Sequence, residues 1–218
     1  MPPRIESDSA GPPDQPSETA SAAAAQGSST QIPTLVPAQT ALLVMHYQTD
    51  IVGLFPSVAP TLLANTRKLC EAARAKRVSV YFAQIHFSPG YPEVSPLNKN
   101  GQGIKQLGLF VDDEISPELG RLDSEPLILA HRASVFFRTD LEARLATQGI
   151  DTLLMVGIAS TGVMLSSVAY ASDADFRLIT VKDCCYDPDQ VVHDHLFSTA
   201  FDSRTTVLSL ADALALLA

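Results

Sequence analysis

The stretch LLMVGIASTGVMLSS, Leu153–Ser167, decides the fold. A run of apolar β-formers enters a Gly-Ile-Ala-Ser-Thr-Gly turn and leaves as a helix, which is the strand–turn–helix junction of a parallel α/β protein. At such a junction the helix N-terminus offers unpaired N–H groups to an anion or a developing oxyanion. The first helical position is Val163, a side chain with nothing to react. A turn placed for chemistry therefore carries a residue that performs none.

Outward from this junction, short β-rich runs alternate with helical patterns from residue 40 to the end. TALLVMHY (40–47) reads as a buried strand, followed by a helix over 60–77 with Leu62, Leu63, Leu69, Cys70 and Ala73 on one face. VSVYFAQIHF (78–87) is a second strand, and the long segment 88–125 has no strong period. PLILAH (126–131) is a third strand, and 139–149 a helix with Thr139 as its cap and Gly149 as its stop. The fourth strand runs into the opening turn, with a helix from about 162 to 174. FRLITVKDC (176–184) is the fifth strand, 187–201 the helix after it, and TTVLSL and ADALALLA supply a last strand and helix. Continuous apolar strands separated by helices imply one parallel sheet covered on both faces. Right-handed crossovers restrict its topology further.

Composition bounds the function. The 218 residues suffice for one well-buried domain, and 46% apolar content is ordinary for a globular chain. A net charge of −9 argues against nucleic acid or an anionic membrane as the main partner. No apolar run reaches the length of a membrane span. Three cysteines, Cys70, Cys184 and Cys185, are too few for a disulfide framework, so a reducing, cytoplasmic setting is expected. Residues 1–38 hold seven of the fifteen prolines with much Ser and Ala, and read as a disordered tail before a domain at 39–218. Neither GxGxxG nor GxxxxGK[ST] is present, and nothing calls for a cofactor.

In a parallel sheet of this kind the ligand crevice lies beyond the carboxyl ends of the strands. That rule selects His46, Gln48 and Asp50; Gln84 and His86; Ala130, His131 and Arg132; Ala159 to Val163; and Asp183, Cys184 and Cys185. Across roughly 38–216 the sequence resembles the isochorismatase-like cysteine hydrolases. ALLVMHYQTDIV is similar to their opening strand, and AHRASVFFRTDLEARLATQGIDTLLMVGIASTGV to the segment leading to their nucleophile. The resemblance implies a six-stranded sheet in the order 3-2-1-4-5-6, a homo-oligomer, and a cis peptide at Ile158–Ala159. That bond would aim the N–H groups of Ala159 and Val163 at a substrate oxyanion. It also places the family's nucleophilic Cys on Val163, its general-base Asp on His46 and its Lys on Ala130, while Gln48, Asp50, Ser134, Phe136, Thr139, Asp140 and Leu141 match. GIASTGVMLSS further resembles a branch with Val at the Cys position.

Two functions remain open on these grounds. One is water-mediated hydrolysis of a small carbonyl or carboxylate compound. In it His46 is the acid–base group, Gln84 orients the substrate as the matching glutamine does in vinyl-ether-cleaving relatives, and Ala159, Thr161, Gly162 and Val163 line the site. The other is a catalytically silent subunit that binds a small molecule or serves in assembly. His46, His86 and His131 at neighbouring strand ends suggest a three-His metal site, against which stands the alternation of Ala130 and His131. Cys184 and Cys185 read as inert buried thiols, Thr161 as a helix cap, and Lys99 or Lys105 as solvated loop lysines or partners of an acidic ligand.

Overall fold

The computed structural model of the chain describes residues 34–218, so all but the last five residues of the expected tail lie outside it. A short 3₁₀ turn, Pro37–Gln39, leads into β1 (Thr40–Met45), whose six residues are all buried. After it come α1 (Thr49–Gly53), α2 (Ala59–Ala75), β2 (Ser79–Ile85), α3 (Lys99–Leu107), β3 (Leu127–Ala130) and α4 (Leu141–Thr147). The remainder comprises β4 (Thr152–Gly157), a wide π-helical turn at Ser160–Met164, α5 (Leu165–Asp173), β5 (Arg177–Val181), α6 (Gln190–Leu196), β6 (Thr206–Leu208) and α7 (Leu210–Leu216). All strand pairs are parallel, and the spatial order is β3-β2-β1-β4-β5-β6. This is the six-stranded α/β architecture that the sequence implies.

β1 lies between β2 and β4, with Met45 opposite both Ala83 and Gly157. Because it has strands on both edges and helices over its side chains, it reads as an unbroken apolar run. α2 turns Leu62, Leu63, Thr66, Leu69, Cys70 and Ala73 inward, the three- and four-residue spacing of a helix lying on a sheet. β3 departs from the expectation of a sheet covered on both faces. It alternates, burying Ile128 and Ala130 while Leu127 and Leu129 stay 36% and 49% exposed. As the edge strand it has a neighbour on one side alone, and the described chain does not cover its outer face.

Several boundaries shift for local reasons. The N-cap position of α4 is Asp140, one residue past Thr139; the Thr139 hydroxyl accepts from Leu141 N–H at 3.4 Å and donates to Val135 O at 2.6 Å. The helix expected over 162–174 begins as the π-helical turn, and the one expected through 201 leaves α6 at Leu196 for a second π-helical turn, Phe197–Phe201. The segment 88–125, which has no strong period, contains α3. Asn98 caps it by accepting from Gly101 N–H at 2.9 Å, and Gly108 ends it at φ 68°. Its residues are mostly exposed, so burial wrote little pattern into them. Among the described residues no helix is long and apolar enough to cross a membrane.

The approach to β3 is held by one ion pair. Arg74 of α2 donates from Nε and Nη2 to the two carboxylate oxygens of Glu125 at 2.7 and 2.9 Å, and from Nη2 to Gly120 O at 3.1 Å. Glu125 also accepts from Leu122 N–H at 2.8 Å. With side chains 22% and 9% exposed, this bidentate pair is partly desolvated, unlike Arg67–Glu71 at 56% and 55%. Arg74→Leu is therefore expected to cost about 2 kcal/mol, because it leaves a carboxylate unpaired in a dry site. Arg67→Leu should stay within about 0.5 kcal/mol. Urea denaturation of both variants checks the contrast, and equal losses would refute it.

Candidate functional site

The carboxyl ends of β1 and β4 meet beneath the opening turn. Gly157 is required here: a Cβ would stand 2.9 Å from Val163 Cγ1, 3.2 Å from Met164 Sδ and 3.2 Å from Met45 O. Val163 thus packs down on the strand ends, 1% exposed, and fills the space with methyl groups. The Ile158–Ala159 peptide is cis. Met164 N–H reaches back to Ala159 O at 3.3 Å, the five-residue step that widens the turn.

The N–H groups at the start of this turn are partly spent within the chain. Ser160 N–H donates to Tyr186 O at 3.0 Å. Thr161 donates from both N–H and Oγ1 to Asp187 Oδ2, at 2.8 and 2.6 Å, and Asp187 is itself 2% exposed. At this terminus Thr161 N–H is satisfied by an internal carboxylate, while Thr161 itself stays exposed. Behind the turn, Ser160 Oγ lies 2.8 Å from His193 Nδ1 with both residues buried. Burial, reinforced by the Lys182 charge, holds His193 below the ordinary histidine range. This neutral pair fastens α6 to the turn. In the sequence its signal is no more than one of two histidines in the mostly polar run QVVHDHL.

His46 follows β1 in the left-handed region, φ 63°, where a non-glycine residue is uncommon. It is 4% exposed and its Nε2 has no hydrogen-bond partner. Burial lowers its pKa from 6.5 to about 3, so the ring is neutral at physiological pH. Ala130 is fully buried. The cavities beside Gln84 and after β3 have none of His46, Ala130 and Val163 in their linings.

The other candidates scatter. Gln84 donates to Asp113 O at 2.8 Å and lines a cavity of about 490 Å³ with Glu114, Arg121 and Leu127. Gln48 exchanges bonds with the Ile85 backbone, 2.8 Å each way, and donates to Asp113 Oδ2 at 2.7 Å. Asp50 accepts from Phe110 N–H at 2.9 Å. These matching residues pin the segment around Asp113 to the end of β1. His46, His86 and His131 do not converge, and no group of three or more potential metal ligands exists among the described residues. His131 turns Nδ1 to His86 O at 2.6 Å. The thiols are buried and free, with burial pushing Cys70 and Cys185 up to about 12 and Cys184 further.

The model of the isochorismatase domain matches residues 40–212, nearly the whole described chain. The chain belongs to the isochorismatase family. It is 25% identical over 186 residues to the uncharacterized isochorismatase family protein YecD of Escherichia coli O157:H7, a match covering 80% of this chain and 94% of that one. To the ureidoacrylate amidohydrolase RutB of Agrobacterium fabrum it is 26% identical over 182 residues, covering 70% and 78%. Among solved structures, a cysteine hydrolase from Pseudomonas syringae pv. phaseolicola superposes with a TM-score of 0.74 at 18% identity, covering 84% of this chain and 94% of that one. At that identity the likeness carries the fold alone.

Within this isochorismatase fold, His46 makes a thermodynamic prediction. A histidine whose folded pKa lies below its unfolded one stabilises the fold fully above the unfolded value of 6.5 and progressively less as pH falls toward 3. From pH 6.5 to pH 5 the expected loss is about 2 kcal/mol. His193 acts in the same sense. His46→Asn, which tolerates the left-handed backbone, should flatten the decline in urea unfolding free energy between pH 7 and pH 5. An undiminished decline would show that the ring is not forced to shed its proton on folding.

Proposed function

We propose that this chain keeps the isochorismatase fold without its thiol hydrolysis, and serves as a small-molecule-binding subunit silent at the family's nucleophile position. The observation that carries this is Val163, 1% exposed and wedged against Gly157 where the resemblance places the nucleophile. The base position holds a buried, neutral His46 and the Lys position a buried Ala130, so no carboxylate–ammonium pair is available to move a proton. None of the three cysteines supplies a replacement, since each is buried with its thiolate disfavoured.

A second reading rests on one feature, the orphaned Nε2 of His46. A buried ring nitrogen without a partner is where an activated water would bind, with Gln84 and the Ala159 and Val163 amides as further contacts. The lowered pKa weighs against it, because a group near 3 is a weak base at neutral pH.

The chain also reads as a cytoplasmic homo-oligomer. Free buried thiols suit a reducing compartment. The outward Leu127 and Leu129 of β3, and Leu165 and Tyr170 at 40% and 38% exposure, supply apolar surface for a second copy.

Relatives are named for ureidoacrylate, N-carbamoylsarcosine and maleamate, and these amides form the substrate panel for the purified full-length chain. Ammonia release is expected to equal the buffer blank for all three. Turnover that His46→Asn lowers by about 10² would overturn the silent reading and establish the water-mediated one.

A further inference from the structure

We infer that the cleft after β3, lined by Glu93, His131, Arg132, Phe137 and Arg138, binds a small organic acid with a planar apolar body. The inference names a ligand class for the binding role proposed above. It shares no lining residue with His46, Ala130 or Val163, so it stands whether or not His46 turns a substrate over.

The cavity is about 250 Å³ and adjoins one of about 440 Å³ that shares Arg132 and Phe137. Arg132 and Arg138 both line it, and among the described residues neither forms an ion pair with a carboxylate. Arg132 donates from Nη1 to His131 O at 2.5 Å and from Nη2 to Glu93 O at 3.1 Å, neutral acceptors that fix the fork and leave its charge uncompensated. Arg138 lies over the Phe137 ring, its Cζ 5.2 Å from the centroid, an arrangement that also leaves the charge unpaired.

The single carboxylate of the cleft is committed elsewhere. Glu93 accepts from Ser88 Oγ at 2.5 Å and from Ser88 N–H at 3.2 and 3.3 Å. His131 is oriented by its Nδ1 contact to His86 O, which leaves Nε2 as the free nitrogen. In a chain of net charge −9 this recess sets two arginines against one carboxylate. Positive potential of that kind selects an anion.

The walls narrow the class. Planar guanidinium forks match a carboxylate bidentately. Phe137, 44% exposed beside Arg138, offers a ring face for the body of the ligand. The volume falls below the usual range for drug-sized ligands, which fits a single ring. The Glu93 carboxylate in the lining penalises a second negative charge, so a monoanionic carboxylate is favoured over a phosphate dianion.

The test is calorimetric titration of the full-length chain with benzoate, benzamide and inorganic phosphate. Benzoate should saturate one site per chain with Kd on the order of 1 mM or tighter. Arg132→Gln and Arg138→Gln should each weaken it about tenfold or more. His46→Asn should leave it unchanged. Arg132 also ties two backbone carbonyls, so Arg138→Gln and Phe137→Ala provide the readout if Arg132→Gln fails to fold. Absence of benzoate saturation, or saturation indifferent to Arg138→Gln and Phe137→Ala, would overturn the site. Equal binding of benzamide would overturn its anion selectivity, and displacement of benzoate by phosphate at equal or lower concentration would overturn the carboxylate class. A panel amide hydrolysed while benzoate still binds would sink the silent reading alone.

Discussion

At Gly157 the side chain of Val163 comes so near that a Cβ would stand 2.9 Å from its Cγ1, with Met45 O of β1 at 3.2 Å. That approach sets the packing at the end of the sheet. The register places Met45 level with Gly157, whose missing Cβ lets Val163 descend onto the strand ends. The ring of His46, one residue past Met45, is buried as well. A valine at the head of the turn is thus a packing residue. Its methyl groups occupy apolar volume among buried neighbours, which a charged nucleophile could share at large desolvation cost alone.

The parallel sheet was legible because its central strands are buried on every side. The six residues of β1 and the six of β4 carry no outward-facing polar alternation, and the turn after β4 announces itself by Gly157 and Gly162. α3 was not legible, since a mostly exposed helix nine residues long leaves little apolar period behind. Thr139 lies one residue ahead of the N-cap position. Its hydroxyl accepts from Leu141 N–H, as a capping group does, and also donates to Val135 O.

The site was legible in place and not in state. Strand ends identify His46, Ala130 and the turn, yet sequence gives no account of desolvation, and an unperturbed histidine was the natural starting value. Asp187 was invisible for a related reason. It lies 26 residues from Thr161, and nothing local marks it as the partner of that N–H. Gln48 and Asp50 matched a family pattern and stood among the crevice candidates at the strand ends. Their bonds instead run to Ile85, Asp113 and Phe110, which makes them structural fasteners.

Those fasteners bear on the order in which the sheet is completed. Residues 86–126 separate β2 from β3, a long excursion for two strands that lie side by side. Once Asp113 is anchored at the end of β1, the part still to be closed before β3 can pair shrinks to residues 114–126. Logarithmic loop entropy makes that shorter closure easier by about 1 kcal/mol. The polar residues beyond β1 act, in this sense, on the chain's route to its edge strand, beyond which the arginine-lined cleft lies.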